Sequence, residues 1–273
     1  MFTIVAGTGY TGQRVLGSLP AESSVGLNST SMNLDASDRL PVEVPSTYAV
    51  LYAIPPAAND DSRLHHFLSE LPSAPQRFVY ISTTGVYGDC NGAVVTEEAP
   101  VNPESRMSRP RVAAENLLVE WAAGESCDLV VLRVPGIYGP GRLAVKRIKE
   151  GGTFLAEEDA SPGNRIHVDD LASCCLAALN ENTPTGIYNV GDGDHRSSTW
   201  FAQEVARQAK LPEPRLISRA QAEKEFSPVR LAFMSSSRIV DTTKMREVLG
   251  VTPRYANPED GIAASLTVES ACF

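Results

Sequence analysis

Three glycines near the N-terminus have a spacing that can serve phosphate binding. Gly7, Gly9 and Gly12 form the pattern G-x-G-x-x-G between an apolar, β-branched run at residues 2–6 and helical residues 13–19. In this context the first glycine makes a tight turn, the second lets the backbone approach a pyrophosphate, and the third lets helix and strand pack closely. The helix N-terminus adds N–H groups and a positive dipole end. The stretch predicts a dinucleotide-binding loop, with a glycine turn that binds nothing as the alternative.

The elements that would position this loop alternate regularly along the chain. Apolar runs typical of buried strands cover residues 2–6, 24–27, 48–54, 77–82, 128–134 and 186–190, with a short further strand expected at 32–35. Helical patterns cover residues 13–19, 60–71, 105–123, 168–179, 198–210 and 242–249. This rhythm predicts an α/β fold with a Rossmann-type, doubly wound parallel sheet.

The alternation of strands and helices becomes less regular in the second half of the chain, which suggests a second, smaller structural unit. We expect residues 1–165, with a strand and helix from about 166–192, to form the dinucleotide-binding domain. Residues 193–273 are expected to form a smaller C-terminal substrate lobe that is intertwined with the sheet and is not an independent domain.

Composition and charge exclude several classes of partner. The net charge of −9 and the absence of a basic run argue against a nucleic-acid or anionic-membrane partner. The five cysteines form no C-x-x-C and no metal spacing, so reduced thiols in a cytoplasmic protein and no metal site are expected. No apolar stretch approaches the roughly 20 residues needed to span a membrane, and no cationic leader precedes the first apolar run.

Five motif blocks occur in a characteristic order along the chain. They are residues 7–12 (GTGYTG), 79–88 (VYISTTGVYG), 133–142 (RVPGIYGPGR), 165–171 (RIHVDDL) and 187–191 (IYNVG). Together they resemble the short-chain dehydrogenase/reductase superfamily, in its extended, NAD-dependent epimerase/dehydratase-like branch. The resemblance implies a Rossmann fold, an NAD or NADP cofactor, a small-molecule substrate and a homodimer formed through the long helices.

The sequence departs from this family at its catalytic motif, Tyr-x-x-x-Lys. Registering the long helix on Glu115 puts Arg111 at the lysine position and Met107 at the tyrosine position, so the chain resembles the atypical members. A thioether cannot transfer a proton, and Met107 is therefore expected to line an apolar substrate pocket or to pack in the core. Arg111 either hydrogen-bonds the ribose of the cofactor or, as an exposed residue, pairs with Glu115 at i, i+4.

The remaining polar residues of the blocks are candidates for chemistry. Thr83 matches the family's serine or threonine, which helps to polarise a substrate carbonyl. If chemistry survives, Tyr87 is the replacement acid, but a structural or cofactor-packing role is the favoured interpretation. Substrate contacts are expected from Thr84, Tyr138 and Arg142, besides Met107; a solvated loop arginine is the alternative for Arg142.

Cofactor contacts are expected at the ends of several strands. Besides the glycines and Arg111, they comprise Tyr10, Thr11, Asn28, Ser29, Thr30, Ala53, Ile54, Pro55, Ser82 and Pro135. Residues 28–30 are neutral at the position where NAD enzymes favour an acidic residue, so NADP is favoured over NAD. Arg14 or Arg39 is the expected source of positive charge for a 2′-phosphate.

A histidine followed by two carboxylates invites two interpretations. His167, Asp169 and Asp170 could form an acid/base or metal cluster, but two carboxylates at the start of a helix more often cap it. The sequence as a whole thus predicts an NAD(P)-binding oxidoreductase or epimerase for a small polar or sugar-like substrate. The alternative is a non-catalytic NAD(P)-binding sensor or scaffold.

Overall fold

A six-stranded parallel sheet lies at the centre of the computed structural model, which describes residues 1–36, 38–57, 61–106, 108–227, 230–231 and 236–271. The strands are β1 (Phe2–Ala6), β2 (Ser24–Leu27), β3 (Tyr48–Tyr52), β4 (Arg77–Thr83), β5 (Val94–Val95), β6 (Asp128–Val134), β7 (Gly136–Tyr138), β8 (Thr153–Leu155), β9 (Arg165–His167), β10 (Gly186–Asn189), β11 (Arg215–Ile217) and β12 (Ile239–Val240). The central sheet has the order β10-β6-β4-β3-β1-β2.

Helices cover both faces of this sheet. They are α1 (Gly12–Ser18), α2 (Ser62–Ser69), α3 (Arg109–Glu125), α4 (Val145–Lys149), α5 (Val168–Leu179), α6 (Ser198–Gln208), α7 (Arg219–Glu225), α8 (Thr243–Glu247) and α9 (Pro258–Ala271). The parallel, doubly wound α/β architecture expected from the sequence is confirmed.

The strands are buried on both faces, which explains their continuous apolar runs. All five residues of β3 are buried. Successive residues of β1 serve opposite faces: Val5 packs in a core cluster with Leu171 of α5, and Ile4 packs in a second cluster with Leu64 of α2 and Leu118 of α3. The sheet register, for example Ile4 opposite Val50, keeps each face continuous across neighbouring strands.

Two expected element boundaries are wrong, and each has a local polar cause. Residues 32–35 form no strand, because the Asn33 side-chain oxygen accepts the backbone N–H of Asp35 and the Asp38 carboxylate accepts that of Asn33, which makes a turn there. The long helix begins at Arg109 rather than at residue 105. Ser105 and Ser108 accept hydrogen bonds from each other's backbone N–H groups and form a turn before it.

The C-terminal part of the chain builds smaller units around the main sheet. Two-stranded parallel pairs join β7 to β9, β8 to β11 and β5 to β12. A separate core cluster packs residues such as Tyr138, Phe154, Val205 and Ile262 between these elements. The division at residues 165 and 193 stays a prediction. Within the described residues, no helix has the length and apolar character needed to cross a membrane.

Candidate functional site

A cleft of about 580 Å³ opens at the carboxyl ends of the central strands. The chain turns to one side from β1 to β2 and then to the other side for β3, so the cleft lies at the point where the strand order reverses. Open α/β sheets bind ligands at this point. The lining comprises residues 6–12, 27–29, 32–35 and 53–55, together with Arg63, Phe67, Ile81, Arg111, Ile137 and Arg142.

Most of the expected cofactor contacts meet in this cleft. The expected residues that line it are Gly7, Gly9, Tyr10, Thr11, Gly12, Asn28, Ser29, Ala53, Ile54, Pro55, Arg111 and Arg142. The expected residues outside its described lining are Thr30, Ser82, Thr83, Thr84, Tyr87, Pro135 and Tyr138. Met107 lies outside the described residues.

The three glycines of the loop meet different constraints. Gly7 has φ of +99°, and a Cβ there would lie 3.0 Å from the carbonyl carbon of Ala53. A Cβ on Gly12 would lie 2.1 Å from the Gly7 carbonyl oxygen, which reflects the close packing of helix and strand. A Cβ on Gly9 would meet no protein atom within 4 Å. Of the three, only Gly9 therefore lacks a reason within the protein to be glycine, and its open side fits the close approach of a pyrophosphate.

Tyr10 connects the glycine loop to the loop after β7. Its hydroxyl donates to the Pro140 carbonyl oxygen at 2.9 Å, and the Arg142 guanidinium carbon lies 3.9 Å from its ring centroid. Arg14 also stacks on this ring, at 4.8 Å, and its Nε donates to Asp169 at 2.8 Å. Because Arg14 is engaged with Asp169 and does not line the cleft, the expectation that it meets a 2′-phosphate is not supported.

The end of the cleft next to β2 contains two charged residues that sequence reasoning missed. Arg63 of α2 donates from Nε to Asp35 Oδ1 at 2.8 Å and from Nη2 to Oδ2 at 2.7 Å. Asp35 follows the glycine loop by about 20 residues, the distance at which NAD enzymes carry an acidic ribose ligand, so a signal for it existed. No such signal marks Arg63, which reaches the cleft from an element that follows β3.

Arg111 reaches the cleft from the first turn of α3 and is half-buried. Its Nη1 donates to the Ile81 carbonyl oxygen and, at 3.2 Å, to the Tyr80 hydroxyl. The alternative pairing of Arg111 with Glu115 is wrong, because the Glu115 carboxylate is occupied elsewhere. It accepts from the Ser82 hydroxyl and, at 2.8 Å, from Arg133 Nη2.

Ser82 and Glu115 thus belong to a buried polar network behind the cleft. Arg133, at 4% exposure, bridges Glu115 to the hydroxyl of Tyr87 with a 2.9 Å hydrogen bond. The Tyr87 hydroxyl in turn donates to Asn189 Oδ1 at 2.7 Å. Burial raises the pKa of Tyr87, and the side chain is only 1% exposed. This placement favours the packing role for Tyr87 over a role as an acid.

Thr83 ends β4 and is half-buried. Its hydroxyl oxygen accepts the Gly85 N–H at 3.1 Å, which leaves the hydroxyl proton for a further acceptor. The neighbouring Thr84 is buried at 3% exposure. Of the polar residues in the 79–88 block, Thr83 therefore retains a donor in a partly open position.

Tyr138 is enclosed by aromatic rings instead of facing the cleft. Its ring centroid lies 5.2 Å from that of His167 and 5.1 Å from that of Phe201. Burial raises the pKa of the Tyr138 hydroxyl far above its usual range. This environment disfavours the expected substrate contact and resembles that of a core residue.

The His167 cluster caps a helix, as one of the two interpretations expected. The cap, however, is the histidine and not the two carboxylates. His167 Nδ1 accepts the Asp169 N–H at 3.2 Å at the start of α5. Burial lowers the pKa of His167, which keeps Nδ1 available as an acceptor. The Asp170 carboxylate accepts the backbone N–H groups of Arg254 and Tyr255. In the described part of the chain, no group of three or more His, Cys, Asp or Glu side chains is arranged to hold a metal ion.

A parallel sheet with a glycine-rich loop at its point of strand reversal defines a Rossmann-type α/β fold. Residues 61–191, slightly less than half of the chain, match the model of the NAD dependent epimerase/dehydratase family, and the chain is similar to that family over this range. This match confirms the resemblance that the motif blocks indicated.

Individual proteins are similar to this chain in sequence or in fold. A solved structure of a functionally unknown conserved protein from Silicibacter pomeroyi DSS is 28% identical, with a TM-score of 0.83 over 98% of this chain and 99% of that one. Protein YeeZ of Escherichia coli K12 is 27% identical over 186 residues, or 67% of this chain. The chain spans 60% of the length of YeeZ. The UDP-glucose 4-epimerase of Thermus thermophilus, in complex with NAD, shares the fold with a TM-score of 0.75 at 19% identity over the full length of both chains.

Proposed function

We propose that this protein is an NAD(P)-dependent oxidoreductase or epimerase that acts on a small polar or sugar-like substrate. The observation that carries the proposal is the open side of Gly9, in a cleft at the point of strand reversal. The family match and the sugar-nucleotide chemistry in the name of the Thermus epimerase support the substrate class. A cytoplasmic location, a homodimer and the absence of a nucleic-acid partner remain parts of the proposal.

Residues along the cleft would hold the cofactor in an extended form. Gly9 and its neighbours would face the pyrophosphate, and Asn28 and Ser29 would lie beside the adenosine ribose. Arg111, which occupies the family's lysine position, would donate from its cleft side to the nicotinamide ribose. When bound, the nicotinamide supplies reversible hydride exchange with a carbon of the substrate.

Thr83 would donate a hydrogen bond to the oxygen on the reacting carbon of the substrate. Its hydroxyl proton is available, and a hydrogen bond from it would stabilise the negative charge that develops on that oxygen. Tyr87 and Tyr138 are enclosed, so in this proposal the proton comes from water. Arg142, exposed beside Tyr10, would meet a phosphate or carboxylate of the substrate.

Two measurements test this proposal in sequence. Titration with NADH and NADPH, followed by nicotinamide fluorescence, is expected to show micromolar binding of at least one of them. In a subsequent screen of carbonyl compounds and nucleotide sugars, Thr83→Ala is expected to lower turnover by roughly tenfold to a thousandfold, through loss of one transition-state hydrogen bond.

Matched variants make the second measurement specific. Thr83→Ser keeps the hydroxyl and is expected to retain most of the activity. Thr267→Ala removes an exposed threonine hydroxyl from α9 and is expected to leave turnover unchanged. Unchanged turnover in Thr83→Ala would remove Thr83 from the mechanism, and failure of the folded protein to bind either nucleotide would refute the whole proposal.

A non-catalytic NAD(P) sensor or scaffold is the second candidate, and one observation favours it. Tyr87, the candidate acid, is enclosed, as is Tyr138, and Asp35, the carboxylate in the described lining, is paired with Arg63. Micromolar nucleotide binding without oxidation of NADH or NADPH by any offered carbonyl compound would support this candidate.

A further inference from the structure

The adenosine end of the cleft contains an ion pair that bears on the choice between NAD and NADP. Arg63 and Asp35 both line the cleft beside Asn28 and Ser29, although they come from separate elements. Two parallel hydrogen bonds of 2.8 and 2.7 Å join the guanidinium to the carboxylate. Their side chains are 33% and 58% exposed, so the pair faces solvent within reach of a ligand.

The geometry of this pair leaves Arg63 and Asp35 with different abilities to form hydrogen bonds with a ligand. A guanidinium is a planar fork with five N–H donors, and Asp35 occupies only the edge formed by Nε and Nη2. Among the described residues no acceptor is assigned to Arg63 Nη1, so a second edge is available to a phosphate. Asp35, by contrast, has both oxygens engaged by Arg63. The guanidinium partly neutralises its charge, so Asp35 is a weaker acceptor for a ribose 2′-hydroxyl than an unpaired carboxylate, although each oxygen keeps a second lone pair.

The other arginines that the sequence suggested, or that line the cleft, lie at other places: Arg39 is exposed and does not line the cleft. Arg14 pairs with Asp169. Arg111 donates to the Ile81 carbonyl oxygen at the end of β4, and Arg142 stacks on Tyr10 of the glycine loop. Arg63 is thus the cleft arginine that lies with the residues following β2, where Rossmann folds place the adenosine ribose.

We propose that Arg63, held in orientation by Asp35, binds the 2′-phosphate of NADP and makes the cleft prefer NADP over NAD. This inference rests on the proposed function. Asp35 is a positioning residue in it: its two hydrogen bonds fix the plane of the guanidinium, so that the remaining edge meets the phosphate in a bidentate manner. The neutral residues Asn28 and Ser29 add no repelling charge, and Arg63 compensates the negative charge of Asp35.

Titration of the intact protein and its variants with NADPH and NADH tests this assignment. Arg63→Ala is expected to weaken NADPH binding by about tenfold to a hundredfold, the effect of losing a charged hydrogen bond, while NADH binding changes by less than about twofold. Arg63→Lys keeps the charge without the fork and is expected to fall between the two. Asp35→Asn is expected to weaken NADPH binding by a smaller factor and to leave NADH binding unchanged.

A distant ion pair provides the matched control. Arg215→Ala removes an exposed arginine that pairs with Glu225, and it is expected to leave both affinities unchanged. Thermal unfolding of each variant shows whether the fold is intact, and retained NADH binding gives a second check.

Four results would overturn the inference. An equal loss of NADPH and NADH in Arg63→Ala would make Arg63 a general structural residue. Weaker NADH binding in Asp35→Asn, with NADPH unchanged, would assign Asp35 to the ribose hydroxyl instead. A wild-type protein that binds NADH normally and NADPH no better would refute the preference alone, whereas binding of neither would refute the proposed function with it.

Discussion

Replacing Gly9 by alanine is expected to separate nucleotide binding from folding. The added methyl group would meet no protein atom within 4 Å, and Gly9 is not among the glycines with positive φ. The folded state can therefore accept alanine. Alanine also reduces the conformational entropy of the unfolded chain, so the free energy of unfolding is expected to stay equal or rise by up to about 1 kcal/mol.

The same methyl group would point into the space proposed for the pyrophosphate. A phosphate oxygen must approach a backbone nitrogen to about 2.7–3.2 Å to form a hydrogen bond, and the methyl group prevents this. Loss of one charge-assisted hydrogen bond costs about 1.5–3 kcal/mol, so the affinity for NADH and NADPH should fall about tenfold to a hundredfold.

Gly12→Ala is the matched control within the same loop. Its Cβ would lie 2.1 Å from the Gly7 carbonyl oxygen, so the loop or α1 must move. We expect this variant to lose about 1–3 kcal/mol of stability, as overpacked cores do. Denaturant unfolding and fluorescence titration measure the two effects separately. A Gly9→Ala protein that binds both nucleotides as tightly as the wild type would refute the assignment of the loop to the pyrophosphate.

Two further predictions concern buried charges away from the cleft. Glu115→Ala leaves the buried Arg133 guanidinium without its carboxylate and should lower the free energy of unfolding by about 3–5 kcal/mol. Glu115→Gln should cause a smaller loss. Denaturant unfolding that shows equal losses in the two variants would contradict this prediction. Burial raises the pKa of Asp192 to about 7. Between about pH 4 and pH 7 the folded state therefore holds a proton that the unfolded chain has released. The free energy of unfolding consequently falls as the pH rises through this range, by up to about 1.4 kcal/mol per pH unit. Asp192→Asn should therefore gain stability relative to the wild type between pH 5 and pH 8, and a constant difference in thermal unfolding across this range would contradict the argument.

Local patterns explain what could be predicted. The sequence interpretation placed β1, β2, β6 and α5 within the bounds observed, because a buried parallel strand is a continuous apolar run and an amphipathic helix repeats its apolar residues every three to four positions. The strand–glycine–helix unit at residues 2–18 is likewise local, so its geometry follows from neighbours in the chain.

Errors arose where a residue had two plausible partners. Arg111 and Glu115 have the spacing of a helical ion pair, yet Glu115 binds Arg133 of β6 and Arg111 binds the end of β4. Tyr87 has a phenol that could act as an acid or pack in the core, and its burial beside Asn189 of β10 is what favours packing. The sequence shows the residue types and not the strand order that brings them together.

The sequence by itself therefore determined the fold class, the glycine loop and the resemblance to a family, because each is encoded by spacing over a few residues or by the order of motifs. Only the tertiary structure decided which side chains meet in the cleft and which are enclosed behind it. Asp35 and Arg63 lie on different elements that converge at one end of the cleft, and their pairing depends on the packing of α2 against the sheet. Such contacts depend on distances in space, which the separation of residues along the chain does not reveal.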